Sequence, residues 1–507
     1  EAEVTHDTLP GQWEGDTLAS VAAVESADVP QEESGQSLGW LFLLAFGGGL
    51  LGLLTPCVFP MIPMTVSYFM KHGGRKQAVF YGLSIVVIYL LVGILLSALF
   101  GQGAANAIST HWLPNVLFTL IFIAFAFSLL GYYEINLPAS WINGSDKKAE
   151  SAGLLGTFFM ALTLVLVSFS CTLPIAGAVA LGAAGGSFLA PLVGMLGFSL
   201  AFALPFTLFA FFPGWLSGLP KSGGWMNTLK VSLAFVELAF AFKFLSVPDQ
   251  VYHWHILDRE VFLSIWIVLF GMLGAYLLGK LRFPLDGEMP VQRNAFRFTT
   301  AVAVWCFVVY LIPGLWGAPL QAVSGWLPPM STQDFVLSSY AAPLSETETS
   351  SHRYADRLKA PAGWSACFEY DEVLSEARAA GRPALLVFTG HGCVNCRLME
   401  QAVLADTRVR EKVRAQLTPA FLYVDDKVLE LPEEAAAAPG TEQRFKWLGE
   451  KNAWLEGSLF HQNAQPCHVL VDPSDGRVLA GPLFYETDVE KYLAFLESGI
   501  RNFQKKP

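Results

Sequence analysis

Four of the seven cysteines sit in settings that suit reversible thiol-disulfide chemistry. In Gly392-Cys393-Val394-Asn395-Cys396-Arg397 two thiols stand one helical turn apart, where a loop opens into a helical run. A cysteine at a helix N-terminus faces unpaired backbone N–H groups and the positive end of the dipole, which lower its pKa and expose a thiolate at neutral pH. Cys393 is therefore the expected nucleophile. Cys396, one turn further in, can attack a mixed disulfide formed at Cys393 and release the partner. A second pattern, Cys-x-x-Pro, occurs twice, in Thr55-Pro56-Cys57-Val58-Phe59-Pro60-Met61-Ile62-Pro63 and in Ser170-Cys171-Thr172-Leu173-Pro174. A lone cysteine in apolar sequence is usually a small buried residue. The same motif at matching places in two apolar stretches points instead to a redox pair.

The other reactive side chains carry weaker signals. Cys306 has no proline beside it and reads as a buried apolar residue. Glu237, inside an apolar stretch, is either a proton relay or thiol-tuning group, or the partner of Lys243 six residues on. A zinc site at Cys393-Cys396 needs a second ligand pair, and Cys367 and Cys467 stand alone while His391 is too near the first cysteine. His253-Trp254-His255 is a weak metal signal. No metal and no cofactor beyond the cysteines is expected.

These residues must be held by two kinds of architecture. The chain is 53% hydrophobic and only 15% charged, with the apolar residues in blocks near twenty long between about Leu38 and Gly317, as membrane-spanning helices require. Eight spans are expected, at 39–70, 77–100, 112–133, 154–182, 189–212, 228–247, 261–280 and 296–316. The loops at Lys71–Lys76, Lys147–Lys148, Lys221–Lys230 and Lys280–Arg297 hold eleven Lys or Arg, and the opposite set holds only Arg259. The positive-inside rule puts the basic loops in the cytoplasm and both termini outside. Residues 1–37, with nine acidic side chains and no Lys or Arg, read as an acidic tail, preceded by a signal peptide or longer segment that was removed. A net charge of −11 with no clustered basic face outside the inward loops excludes a nucleic-acid partner.

Prolines at 56, 60 and 63 must break the first span, and Pro174 the fourth, which is tolerated at membrane depth where the break lines a cavity. Three spans apart means opposite orientation, so two inverted three-helix repeats bring the breaks together near the midplane, where Cys57 and Cys171 can meet. A cavity open alternately to each face follows, with mobility at these prolines.

Beyond Pro319 the chain turns polar, and Ser331 to Pro361 reads as a linker. Then come a helical run Glu369–Ala380, strand Ala384–Thr389, the Cys393 loop and helix, strand Ala420–Val424, a helical stretch near Thr441–Leu448, strand Cys467–Val471, a turn Pro473–Gly476, strand Val478–Leu479 and helix Asp488–Ser498. Strand, Cys-x-x-Cys loop, then helix is the thioredoxin arrangement. Pro466 is the candidate for the cis-proline that such folds place opposite the active-site sulfurs.

Together these residues resemble the DsbD-type thiol:disulfide interchange proteins, whose membrane part is shared with the smaller CcdA proteins. The likeness covers about residues 38 to 507 and is most specific at 55–60, 170–174 and 392–397. It implies a bacterial inner-membrane protein in which cytoplasmic thioredoxin reduces a Cys57–Cys171 disulfide. That pair then reduces Cys393–Cys396, which passes electrons to oxidised extracytoplasmic proteins, among them misoxidised disulfides or apocytochrome cysteines. The expected fold class is a polytopic α-helical membrane domain of eight spans with inverted three-helix repeats, plus an α/β thioredoxin-like domain. The expected division is 1–37 tail, 38–318 membrane electron-transfer domain, 319–361 linker and 362–507 thioredoxin-like domain.

Three departures stand out. Residues 1–37 are too short for the immunoglobulin-like domain that family members often carry and contain no cysteine. Val387 occupies the strand position, six before Cys393, where an acid commonly helps deprotonate the buried thiol, leaving Glu400 or solvent to do so. Cys467 follows Pro466 where an aromatic is more usual, and reads as a strand residue or as a third sulfur near the site. A Cys367–Cys467 disulfide is a further option. Two rival readings remain. Broken inverted repeats also build secondary transporters, including copper-handling ones, and a membrane anchor with an outer binding module leaves both Cys-x-x-Pro motifs unexplained.

Overall fold

The computed structural model describes residues 38–53, 69, 75–100, 110–133, 156–165 apart from 160 and 163, 189–211, 224–286, 295–334, 352–361, 363–437, 439, 443–460 and 464–505. The chain divides into two compact units: one takes in 247–260 and 314–507, the other 38–246 and 261–313 of the described residues.

The second unit is helical. Its described helices are α1 (Leu38–Gly52), α2 (Arg75–Phe100), α3 (Trp112–Leu129), α4 (Leu189–Phe211), most of α5 (Gly224–Val251), most of α6 (Arg259–Leu277) and α7 (Ala295–Leu311). Small residues let backbones close in, as apolar helices need when lipid offers no hydrophobic drive between them. A Cβ on Gly49 of α1 would stand 2.6 Å from the Phe198 carbonyl oxygen of α4, and one on Gly197 would stand 2.9 Å from that of Phe42. Tyr81, Tyr89, Phe198, Phe202 and Phe206 fill one core between α2 and α4. Ala126, Phe235, Leu273, Tyr276 and Ala301 fill another among α3, α5, α6 and α7. Leu83, Leu91, Leu120, Val268 and Val309 are left exposed, which suits helices whose outer faces meet lipid.

Four described helices are long and apolar enough to cross a membrane: Trp112–Leu129, Asn227–Val251, Arg259–Leu277 and Ala295–Trp316. Lys76–Leu91 and Val193–Leu208 are shorter apolar stretches. Of the eight expected spans, the second half of the first and most of the fourth lie outside the described residues. The chain is a multi-pass membrane protein with at least these four hydrophobic helices.

The first unit is built on a four-stranded sheet in the order β2-β1-β3-β4, with β1 at Ala384–Thr389, β2 at Thr418–Tyr423, β3 at Cys467–Val471 and β4 at Val478–Leu483. Strand β1 runs parallel to β2 and antiparallel to β3. All six β1 residues are buried, because both faces are covered. Leu385 and Val387 face a core with Met399, Val403 and Leu404 and with α12 (Val489–Gln504). Leu386 and Phe388 face the other core, with α8 (Tyr370–Ala380) and Leu455 of α11 (Leu448–Phe460). Asp488 caps α12 by accepting from the Glu490 N–H, and Glu369 caps α8 through the Glu372 N–H. A helix near Thr441–Leu448 is not found among the described residues. Arg444 and Trp447 instead make isolated bridges to Ala437 and Glu430, and the helix begins at Leu448. A further amphipathic helix, α10 (Thr407–Gln416), starts at the Asp406 cap and buries Val409 and Val413.

Candidate redox site

The site is made where β1 ends and α9 (Val394–Met399) begins. Cys393 is the residue just before the helix, in extended conformation, and its sulfur accepts from the Cys396 N–H at 3.1 Å. The two cysteines are joined as a disulfide. Cys393 is half-buried whereas Cys396 is 2% exposed. This asymmetry lets a partner reach one sulfur and leaves the other to act only within the chain. The helix passes directly into a single π turn at Glu400–Leu404, a distortion frequent beside functional sites.

Arg397 is buried beside the redox loop. Its guanidinium donates to the Gly390 carbonyl at 3.2 Å and to both Glu400 oxygens at 2.8 and 2.9 Å. Glu400, one of the two proton acceptors expected in place of an acid at 387, the other being solvent, is thus paired with Arg397. Val387 itself is 2% exposed in the apolar layer with Met399.

Two acids that sequence reasoning passed over grip the loop before Cys393. Asp425 accepts from the His391 N–H at 2.8 Å and the Gly392 N–H at 3.1 Å. The fit is tight: a Cβ on Gly390 would stand 2.9 Å from an Asp425 oxygen, so a larger residue there would have to push that carboxylate aside. Asp426 accepts on one oxygen from the Val428 and Leu429 N–H groups. Its other oxygen meets His253 Nε2 at 2.6 Å and His391 Nε2 at 3.2 Å. Burial opposes its charge, yet the bonds from His253 and His391 prevail and hold the Asp426 carboxyl well below the usual carboxylate range. The signal was present in the sequence as Val424-Asp425-Asp426. Because β1 and β2 are parallel, acids after β2 come beside the loop after β1.

The Gln465–Pro466 peptide is cis, as expected of the proline at that position. Cys467, just after it, is fully buried with Phe388, Leu422 and Leu455 on the face of the sheet away from Met399 and the redox helix. It is a core strand residue. Burial and the nearby Glu456 raise its thiol pKa above the ordinary value. Burial likewise pushes the Glu456 carboxyl up to about 7, against bonds from Gln465 and the Ala464 N–H. Cys367 bridges Ala420 on the outer side of β2, whereas Cys467 pairs with Phe388 of β1 from β3. Three strand spacings, about 14 Å, separate them, beyond the reach of a disulfide, and both are free thiols.

In the stretch read as linker, the turn Gln321–Trp326 lies against the redox helix: a Cβ on Gly325 would stand 2.8 Å from the Val394 side chain. Gln401 also donates to the Pro319 carbonyl at 3.1 Å. In the helical unit, Glu237 is 1% exposed and neither carboxyl oxygen has a hydrogen-bond partner among the described residues. The alternative pairing with Lys243 is not made there. Cys57, Cys171, Pro56, Pro60, Pro63 and Pro174 lie outside the described residues. Cys306, read as buried, is exposed on α7.

The comparisons agree with this layout. The family described as cytochrome c biogenesis protein transmembrane domain matches residues 38–247, and the thioredoxin-like domain family matches residues 370–493. The thiol:disulfide interchange protein DsbD 2 of Pseudomonas aeruginosa is 30% identical over 386 residues, covering 73% of this chain and 59% of that protein. DsbD of Ralstonia nicotianae is 28% identical over 386 residues, covering 74% and 58%. DsbD 1 of Pseudomonas aeruginosa is 28% identical over 449 residues, covering 86% and 68%. The chain thus spans about three fifths of the length of the first two relatives.

Proposed function

We propose that the chain is of the DsbD type, its matches to a cytochrome c biogenesis transmembrane domain and a thioredoxin-like domain standing in that order, and that it is a transmembrane protein-disulfide reductase. The observation that carries the reading is the Cys393–Cys396 disulfide at a helix N-terminus, with one sulfur accessible and one enclosed.

In the proposed cycle, two electrons enter from cytoplasmic thioredoxin, which reduces Cys57–Cys171. A thiolate of that pair attacks the Cys393–Cys396 bond, and resolution of the mixed disulfide leaves both outer cysteines reduced and the inner pair oxidised. The Cys393 thiolate then attacks an extracytoplasmic protein disulfide. One target sulfur leaves as a thiolate and takes a proton from solvent, and Cys396 attacks the Cys393 sulfur to release the other. No electron is lost, and no cofactor is required beyond the cysteines. The family's inner-membrane setting, the eight spans in inverted three-helix repeats, the outward termini and the division at 37, 318 and 361 belong to the same proposal. Within it, Pro56, Pro60, Pro63 and Pro174 give the membrane pair its cavity, Pro466 lines the docking face, and Glu237 serves the membrane thiols. The transporter and copper readings are not favoured, since the matched relatives are interchange proteins.

Replacing Cys57 or Cys171 with Ala and alkylating thiols in intact cells tests this. The expected outcome is that Cys393–Cys396 accumulates oxidised in both variants. If the pair stays reduced in both, the conduit is wrong.

A further inference from the structure

His253, His391 and Asp426 come from three separate parts of one compact unit. Their ligand-type atoms all lie within 4.8 Å of one another. Three ligands at 2.0–2.2 Å from a single ion can be at most about 4.4 Å apart, so a small adjustment brings this group to that spacing. The side chains are 6%, 10% and 0% exposed, so little ordering is left to lose on binding. Their orientation is also fixed from behind. The second Asp426 oxygen is held by two backbone N–H groups. The His391 ring stacks on Tyr423 at 4.4 Å. His253 adopts φ +52, in the left-handed region that few non-glycine residues enter, His less rarely than most.

We propose that His253, His391 and Asp426 form a binding site for one divalent transition-metal ion of the Zn2+ class, clamping the segment Val247–Glu260 to the loop that carries Cys393. Two imidazoles and one carboxylate suit borderline ions and leave a fourth position for water. The held second oxygen of Asp426 and the stacked His391 ring supply the outer support that such ligands need. The ion takes the place of the hydrogens that the two imidazoles now share with one Asp426 oxygen.

The site is tested on the full-length chain in detergent with Cys393–Cys396 oxidised, so that the redox pair offers no thiolate. Zn2+ is titrated by equilibrium dialysis, and Co2+ is followed by its visible absorption. The expected result is one Zn2+ per chain and an intense four-coordinate Co2+ spectrum. Binding should weaken at least tenfold in each of His253→Asn, His391→Gln and Asp426→Asn. Asn tolerates positive φ at 253, and at 426 it keeps an oxygen for the two N–H groups, so these variants retain the fold. Glu376→Gln, in the separate His352–Cys367–Glu376 group, should bind as the parent does. Unchanged binding in the three variants, a six-coordinate Co2+ spectrum in the parent, or loss only in Glu376→Gln overturns the proposal. No redox turnover enters the measurement, so its failure and failure of the electron-transfer reading are separately visible.

Discussion

Replacing Glu456 with Gln should stabilise the thioredoxin-like region, but only above a definite pH. Glu456 is 0% exposed on α11, receives the Gln465 amide at 2.6 Å and the Ala464 N–H at 3.2 Å, and burial lifts it from an ordinary 4.5 to about 7. Below about 4.5 the carboxyl is protonated in folded and unfolded chains alike. Between 4.5 and about 7 the unfolded chain has released the proton that the folded chain still holds, so stability falls as pH rises through this window. At about 1.4 kcal/mol for each pH unit, the full penalty above pH 7 is about 3 kcal/mol. His468 slopes the other way, because burial lowers it from 6.5 to about 3 and its contribution is lost as pH falls. Comparing Glu456→Gln with the parent cancels the His468 contribution, which both chains share. Pulse proteolysis in urea on the full-length protein in detergent reads the difference. The two should match near pH 4, and the variant should lead by about 3 kcal/mol near pH 8. An equal gap at both pH values would refute the reasoning.

Two further outcomes follow from the geometry. Cys396→Ala leaves Cys393 able to attack but removes the resolving thiol, so mixed disulfides with partner proteins should rise at least tenfold on non-reducing gels, while the parent shows few. Gly449→Ala puts a Cβ 2.3 Å from the Asp426 carbonyl oxygen and 2.6 Å from its nitrogen. Both are backbone atoms that cannot swing aside, so the same proteolysis assay should show a loss of about 2–3 kcal/mol.

Local signals carried far. The β-branched and apolar run Ala384–Thr389 and the strand Cys467–Val471 appear with the bounds that the sequence suggests, because each is flanked by turn residues and buried on both faces. Asp488 and Glu369, read as helical, are the caps one residue outside. The Cys-x-x-Cys helix start and the cis peptide at Pro466 were legible for the same reason: each is set by a few adjacent residues. What stayed hidden depends on residues distant in sequence. His253 and Asp426 are 173 positions apart, and no spacing rule joins a loop between two apolar helices to the end of a strand. Of the two readings of Cys467, a strand residue or a third sulfur beside Pro466, the strand residue holds, because strand alternation turns its side chain to the opposite face.

The loop before Cys393 is held by two neighbouring carboxylates that grip different kinds of group. Asp425 grips the backbone N–H groups of residues 391 and 392, which any residue but proline at 391 would preserve, whereas Asp426 reaches the ring of His391 and nothing else at that position. Residue 391 is consequently an independent dial. Exchanging its side chain can add or remove the tie to Asp426 and His253 while the Asp425 clasp still sets the cysteine geometry, so a descendant or a designer can rewire what governs this thiol pair without rebuilding it.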